Sequence, residues 1–408
     1  MSKIKTIKAR EILDSRGKPT VEVELITDKG SFIDSCPSGT SSGANEALEL
    51  RDEDEKGVKK AVENVNIIIA KALVGMDPTE QKPLDQVIIK LDGTKDKSKL
   101  GANAMLPVSM AIARAGAAAK KVPLYQHLSD ISGNSLHMPL PSFNIINGGA
   151  HVRRTPTKGG ASLDMQEFMV MPQKKSFAEN LVIGSKVFEK LTQIIKESFG
   201  ELPEMGLEGG YAPMISKAEQ ALYMLKNAIG DFEAKIAIDV AASELYKDGK
   251  YILEGREFSR QELVEFYKDL ASRFPIISIE DPFSEEDWEG FREIKKQLPE
   301  IIIIGDDLTT TNIKRIKEAQ SKKACGGVII KLNQIGTVFE TIEAVNLAKS
   351  YGWKIMVSHR SGETVDNFIA DLAVGVGADF IKSGAYTREE RVVKYNRLLE
   401  IEQEINKK

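Results

Sequence analysis

With 408 residues and 42% hydrophobic side chains, the chain is too long for one ordinary domain and has apolar material enough for two cores. Its 56 basic and 60 acidic residues leave a net charge of −4, which gives no electrostatic reason to expect a nucleic acid or an anionic membrane as partner. Only two cysteines, Cys36 and Cys325, argue against a disulfide framework or zinc site. The charged opening stretch has no signal-like apolar core and no later run nears the roughly 20 residues of a membrane span, so the cytoplasm is the expected compartment.

The first third reads as mixed α+β. Val21, Val23 and Leu25 alternate with polar neighbours as a half-buried strand does, and Asp28-Lys29-Gly30 turns the chain toward Ser31-Phe32-Ile33, giving an antiparallel meander. Val58, Val62, Val65, Ile69 and Leu73 then keep to one helical face. An alanine-rich helix follows from Ala111 to Ala119, with Pro107 expected at its start or at a kink. The stretch Ser38 to Gly43 is small and polar, an idle surface loop or a lid.

From about Leu140 the rhythm changes to short apolar runs separated by longer amphipathic stretches. Ile301 to Ile304 shows no polar alternation, so that strand is covered on both faces. Strands and helices in this order predict a parallel sheet closed into a β/α-barrel, with residues 1–133 as a smaller α+β capping domain and 134–408 as the barrel. An open doubly wound sheet is the alternative, but no glycine-rich phosphate fingerprint follows any strand.

Barrel enzymes carry their chemistry at the C-terminal ends of strands. The ends here are Asp239, Glu280, Asp306, Lys331, His359 and Lys382, six successive runs each closed by an ionisable residue. Singly, each has a plain structural use: a carboxylate after a strand often caps a helix, as Asp281 or Asp307 could, and a lysine is usually a solvated charge. Three acids converging at one mouth, however, repel unless a cation sits among them, and oxygen ligands alone select a hard ion such as Mg²⁺. A lysine beside such an ion should have a lowered pKa and could remove a proton α to a metal-bound carboxylate.

At these residues the sequence resembles the enolase family. The resemblance spans nearly the whole chain and is carried by Arg10 to Gly17, Asn45 to Asp52, Met165 to Met169, Ser278 to Phe283, Gly305 to Leu308 and Ser358 to Thr364. It implies the reversible dehydration of 2-phosphoglycerate to phosphoenolpyruvate with two Mg²⁺, in a homodimer or higher homo-oligomer. By matching motifs, Asp239, Glu280 and Asp306 would hold the first metal, and Ser41, on a mobile loop, would help hold the second. Lys331 would be the base at C2, and Glu208, with Glu167 beside it, the acid that assists loss of the C3 hydroxyl. Arg360 and Ser361 would grip the phosphate. Lys382 would face the substrate carboxylate, and His151 and His359 would line the pocket.

Several positions depart from the family's pattern. The segment between His151 and Glu167 is longer than usual and carries Arg153, Arg154, Lys158, Gly159 and Gly160. Its plain reading is a tolerated loop insertion, and its functional reading a basic lid. Leu207 stands where an aspartate is usual, Thr40 and Ser42 where alanine and threonine are usual, and Lys18 replaces an asparagine. The chain ends soon after Glu404, short of the tail many relatives have. These departures leave two further readings: a paralogue acting on a different phosphorylated or phosphono hydroxy acid, and a catalytically idle relative kept for binding. The intact Asp239, Glu280, Asp306, Lys331 and Lys382 speak against the last.

Overall fold

The computed structural model describes residues 2–40, 43, 45–53, 56–152 and 162–407. β1 (Thr6–Leu13), β2 (Pro19–Ile26) and β3 (Ser31–Ser35) form the antiparallel meander. Val21, Val23 and Leu25 are fully buried along the central strand, as their alternation requires. Thr27 N donates to Gly30 O at 2.9 Å to close the β2–β3 turn, and Gly30 takes a φ of 137° that a side chain would strain.

The next helical run is α1 (Lys59–Glu63), a π turn at Asn64–Ile69, and α2 (Ala70–Leu73). Val58, Val65, Ile69 and Leu73 are buried on its inner face. After α3 (Gln81–Asp92) comes the alanine-rich α4 (Ala102–Lys120), longer than its alanine run suggests. Pro107 lies inside α4, not at its start: the helix begins earlier because Asn103 is clamped to Leu50, accepting from its N–H at 2.9 Å and donating to its carbonyl at 3.0 Å. Proline costs α4 one backbone hydrogen bond, but the helix is packed on nearly every side. Ala104, Val108, Ala111 and Ala115 face the meander's core, while Leu106, Met110, Ala113 and Ala117 join the barrel's core.

α5 (Leu124–Ser132) leads into the barrel. β4 (Leu140–Asn147) and β5 (Glu167–Pro172) come first, followed by α6 (Phe177–Phe199) and α7 (Ala218–Ile229). After β6 (Ala234–Asp239) a small side sheet is built from β7 (Tyr246–Lys247), β8 (Lys250–Leu253) and β9 (Arg256–Phe258). Regular alternation then runs α8 (Arg260–Arg273), β10 (Ile276–Glu280), α9 (Trp288–Gln297), β11 (Ile302–Gly305), α10 (Ile313–Ser321) and β12 (Gly327–Ile330). It ends with α11 (Val338–Ser350), β13 (Lys354–Ser358), α12 (Phe368–Gly375), β14 (Phe380–Lys382) and α13 (Glu389–Asn406).

The sheet closes in the order β10-β11-β12-β13-β14-β4-β5-β6. It is not wholly parallel: β5 runs antiparallel to both β4 and β6. Among the described residues no helix returns the chain to the far end of the barrel between β4 and β5, and β5 starts at the mouth where β4 stops. Its first residue, Glu167, therefore pairs with Asn147 and Asp239, the last residues of its neighbours.

Met169, Met171, Ala237, Ile304, Ile329, Met356 and Phe380 fill the barrel interior as a dry plug. Strand side chains alternate with period two, so the residues two places nearer the mouth, Glu167, Asp239, Asp306, Lys331, Ser358 and Lys382, stand directly above that plug. Among the described residues, no helix is long and apolar enough to cross a membrane.

His127 on α5 is fully buried, and neither ring nitrogen has a hydrogen-bond partner among the described residues. Gly116 of α4 makes this possible, since a Cβ there would fall 2.8 Å from His127 Nε2. Burial pushes the His127 pKa down to about 4, with Lys120 adding to the effect and Asp130 opposing it. An unfolded histidine, with a pKa near 6.5, therefore binds a proton that the native one rejects, and this site loses stability as pH falls from about 6.5 to 4. Relative to His127→Leu, the wild type should lose about 1.4 kcal/mol per pH unit across that window. Urea unfolding of both proteins at pH 7 and pH 5 measures it; an unchanged stability difference would contradict the neutral buried ring.

Candidate active site

The strand ends meet as the barrel geometry requires. Lys382, at the end of β14, lies 2.7 and 2.9 Å from the two carboxylate oxygens of Glu280, 3.4 Å from Asp239 Oδ2 and 3.1 Å from Glu167 Oε2. These three acids come from three neighbouring strands and share one ammonium. Beside them Lys331 Nζ forms a short ion pair with Asp306 Oδ2. Gln166 donates to Asp239 at 3.2 Å, and Gln334 donates to Asp306, also at 3.2 Å.

The N-terminal domain closes one side. Glu46 pairs with Arg360 Nη1 at 2.8 Å, and Asn333 Oδ1 accepts from the same nitrogen at 3.0 Å. Ser38 forms a backbone bridge to Gly362. Thr40 Oγ1 lies 2.7 Å from Ser361 Oγ, and Arg16, anchored on Asp14, donates to Gly39 O at 2.8 Å. Ser41 and the 153–160 insertion lie outside the described residues.

Across the mouth stands a second cluster. The ligand atoms of His151, Glu167 and Glu208 lie within 4.8 Å of one another. His151 Nδ1 is 3.3 Å from Glu167 Oε1 and 3.7 Å from Glu208 Oε1, while His359 Nε2 is 3.2 Å from Glu208 Oε2. Asn144 donates to Glu208 Oε2 at 2.9 Å. His151 Nδ1, Glu167 Oε2 and His359 Nε2 are all buried, and among the described residues none makes an aligned hydrogen bond. Buried polar atoms left in this state mark a place for a ligand atom.

Charge states follow from burial and neighbours. Burial and the charge of Asp239 drive Glu280 well above the carboxylate range, with Lys382 offsetting only part of the rise. Burial and Glu208 raise Glu167 as well. Burial alone would also raise Glu208, but His151 and His359 beside it hold it well below its usual value. Burial takes His359 down to about 3, leaving it neutral. Asp307 is pushed up to about 7 by burial and Asp306. At Lys331 burial lowers the pKa, yet Asp306 outweighs burial and holds it above the ordinary lysine value. Neither Asp281 nor Asp307 caps a helix among the described residues. Asp281 instead accepts from Asp306 N at 2.9 Å and Asp307 N at 2.6 Å, fixing the β11 turn, while Asp287, Asn312 and Thr337 cap α9, α10 and α11.

The cleft is strongly acidic, lined by Glu46, Glu167, Glu208, Asp239, Glu244, Asp281, Asp306 and Asp307 against the basic side chains Lys331, Arg360 and Lys382. Asp239 and Glu280 already aim oxygens at one cation, the ammonium of Lys382, with Asp306 on the adjoining strand. An all-oxygen set with surplus negative charge fits a hard divalent ion. Residues 4–128 match the family described as the enolase N-terminal domain, and residues 135–408 match the enolase C-terminal TIM barrel domain.

The chain belongs to the enolase family. The family is one of Mg²⁺-dependent lyases, and the acidic mouth of this member has the donor set for such an ion. Sequence reasoning left Glu46, Gln166, Gln334, Asn144 and Arg16 without roles. Arg16, Glu46 and Gln166 lie inside the quoted family motifs, so a signal was there; Asn144 and Gln334 had none, because amides reveal their partners only once the chain is folded.

Replacing Lys382 by Met leaves Glu167, Asp239 and Glu280 without their shared cation in metal-free protein. Removing one partner of a buried ion pair costs about 3–5 kcal/mol. In EDTA, Lys382→Met should unfold well below the wild type by calorimetry, and Mg²⁺ should return more stability to the variant than it adds to the wild type. Equal midpoints in EDTA would refute the neutralising role.

Proposed function

We propose that this enolase-family member dehydrates 2-phosphoglycerate reversibly to phosphoenolpyruvate. The observation that carries the reading is two opposed ionisable groups about one acidic cleft: Lys331, just after β12, on one side, and the Glu167–Glu208 pair on the other. Elimination of a poor leaving group needs a base at one carbon and a proton source at the next.

Asp239, Glu280 and Asp306 would hold the first Mg²⁺, and a second would complete the family's complement. When bound, Mg²⁺ supplies positive charge to the substrate's carboxylate oxygens. Lys331 becomes a competent base when the carboxylate of Asp306 is drawn off its ammonium, because the largest opposition to burial is then removed and its pKa falls. Lys382, held protonated because Glu167, Glu280 and Asp239 outweigh its burial, faces the substrate carboxylate and stabilises negative charge that develops there. Burial and the Glu208 charge favour a proton on Glu167, so the pair has both the proton for the departing hydroxyl and a carboxylate to orient it. Arg360 and Ser361 supply donors for the phosphate, Arg360 through its planar fork, while His151 and His359 line the pocket.

Purified protein with Mg²⁺ and 2-phosphoglycerate should show growing ultraviolet absorbance as the conjugated enol product forms, and EDTA should abolish it. Absent signal with Mg²⁺ binding intact would favour a different phosphorylated or phosphono hydroxy acid, and loss of both a binding protein. Lys331→Ala should lower kcat by about 10²–10⁴-fold while Mg²⁺ still binds; retained turnover would remove Lys331 as the base.

A further inference from the structure

Arg391, in the first turn of α13, is fully buried, yet among the described residues it makes no hydrogen bond to an acid; Glu390 is 3.6 Å from Nε. Burying a guanidinium is expensive unless its donors are satisfied. Its four terminal N–H donors are satisfied at the site itself, while the buried Nε has no hydrogen bond among the described residues. Nη1 lies 2.6 Å from His359 Nδ1 and donates to Arg360 O at 2.7 Å, while Nη2 donates to Ser361 O at 2.8 Å and to Leu207 O at 3.3 Å. One planar group thus joins the loop after β13, which carries His359, Arg360 and Ser361, to the separate loop that carries Glu208.

The contact with His359 also decides a proton's position. A guanidinium only donates, so the Nδ1 it touches must be the bare, accepting nitrogen of the imidazole. In a neutral ring the hydrogen then sits on Nε2, the atom 3.2 Å from Glu208 Oε2. The surroundings agree: Lys394, one turn further along α13, donates to Glu363 at 2.8 Å and to Thr364 O at 2.6 Å, and Glu363 accepts from Arg360 N at 3.2 Å. The start of α13 is therefore a frame for the β13 loop.

We propose that Arg391 is a positioning residue, locking His359 as the Nε2–H tautomer toward Glu208 and fixing the Arg360–Ser361 loop and the Glu208 loop in one relative geometry. Its effect on turnover rests on the proposed reaction, whereas its effect on the tautomer does not. In consequence His359 presents a donor, never an acceptor, to the Glu167–Glu208 pair. α13 thereby sets which way the 3.2 Å contact between His359 Nε2 and Glu208 Oε2 is polarised.

The four histidines of the full chain can be labelled with ¹⁵N and read by long-range proton–nitrogen correlation at pH 7, with His359→Gln used for assignment. Wild-type His359 should show a protonated Nε2 and a bare Nδ1. A proton on Nδ1 would overturn the proposal, and this wild-type measurement decides even where variants fold poorly. Arg391→Met should mix the tautomers and lower kcat with 2-phosphoglycerate by about 10²-fold, the usual scale for a misplaced catalytic group, with Arg391→Lys regaining part of the loss. An unchanged His359 spectrum in folded Arg391→Met would equally sink it. Wild-type protein inactive on 2-phosphoglycerate but showing the Nε2–H tautomer would fault the proposed reaction and leave the lock standing.

Discussion

Three carboxylates from three adjacent strands, Glu167, Asp239 and Glu280, crowd around the single ammonium of Lys382 above a plug of methionine, isoleucine and phenylalanine. Nothing below them can solvate charge, so their mutual repulsion is felt at nearly full strength. Everything else at the mouth responds to that surplus: Glu280 is driven toward its neutral form, Lys382 is held protonated, and Asp306 binds Lys331. A cleft in this state attracts small, hard cations and is organised before they arrive. The chemistry is therefore a consequence of how the barrel is filled as well as of which residues rim it.

The reversed strand β5 is what makes the cluster dense. Had a crossover helix joined β4 to β5, Glu167 would have been delivered to the far end of the barrel, and Lys382 would have had only Asp239 and Glu280 to balance. Running β5 backwards instead places Glu167 in register with Asp239 and within reach of His151, so one side chain takes part in both the ammonium cluster and the Glu208 cluster.

The six ionisable strand ends were legible because β-strands impose a strict period of two and because barrels place chemistry at one rim. Ile301 to Ile304 announced a strand covered on both faces, and the structure buries Ile303 and Ile304 against opposite layers. The direction of β5 was not legible, because an apolar run looks the same read either way and the connecting segment has no helical pattern. The pairing of Lys331 with Asp306 was not legible for a related reason: Asp306 follows the preceding strand, and pairing across strands is invisible until register is known. Asp281 was misjudged because a carboxylate after a strand can hold a neighbouring turn as well as cap a helix.

α4 belongs to two cores at once, one face in the meander's interior and the other against the barrel. The two domains that the sequence distinguishes therefore share a wall. Pulling them apart would strip water-excluding contacts from both sides of a single helix, so they should melt together as one cooperative unit, and Glu46 cannot retreat from Arg360 by a rigid swing of the smaller domain.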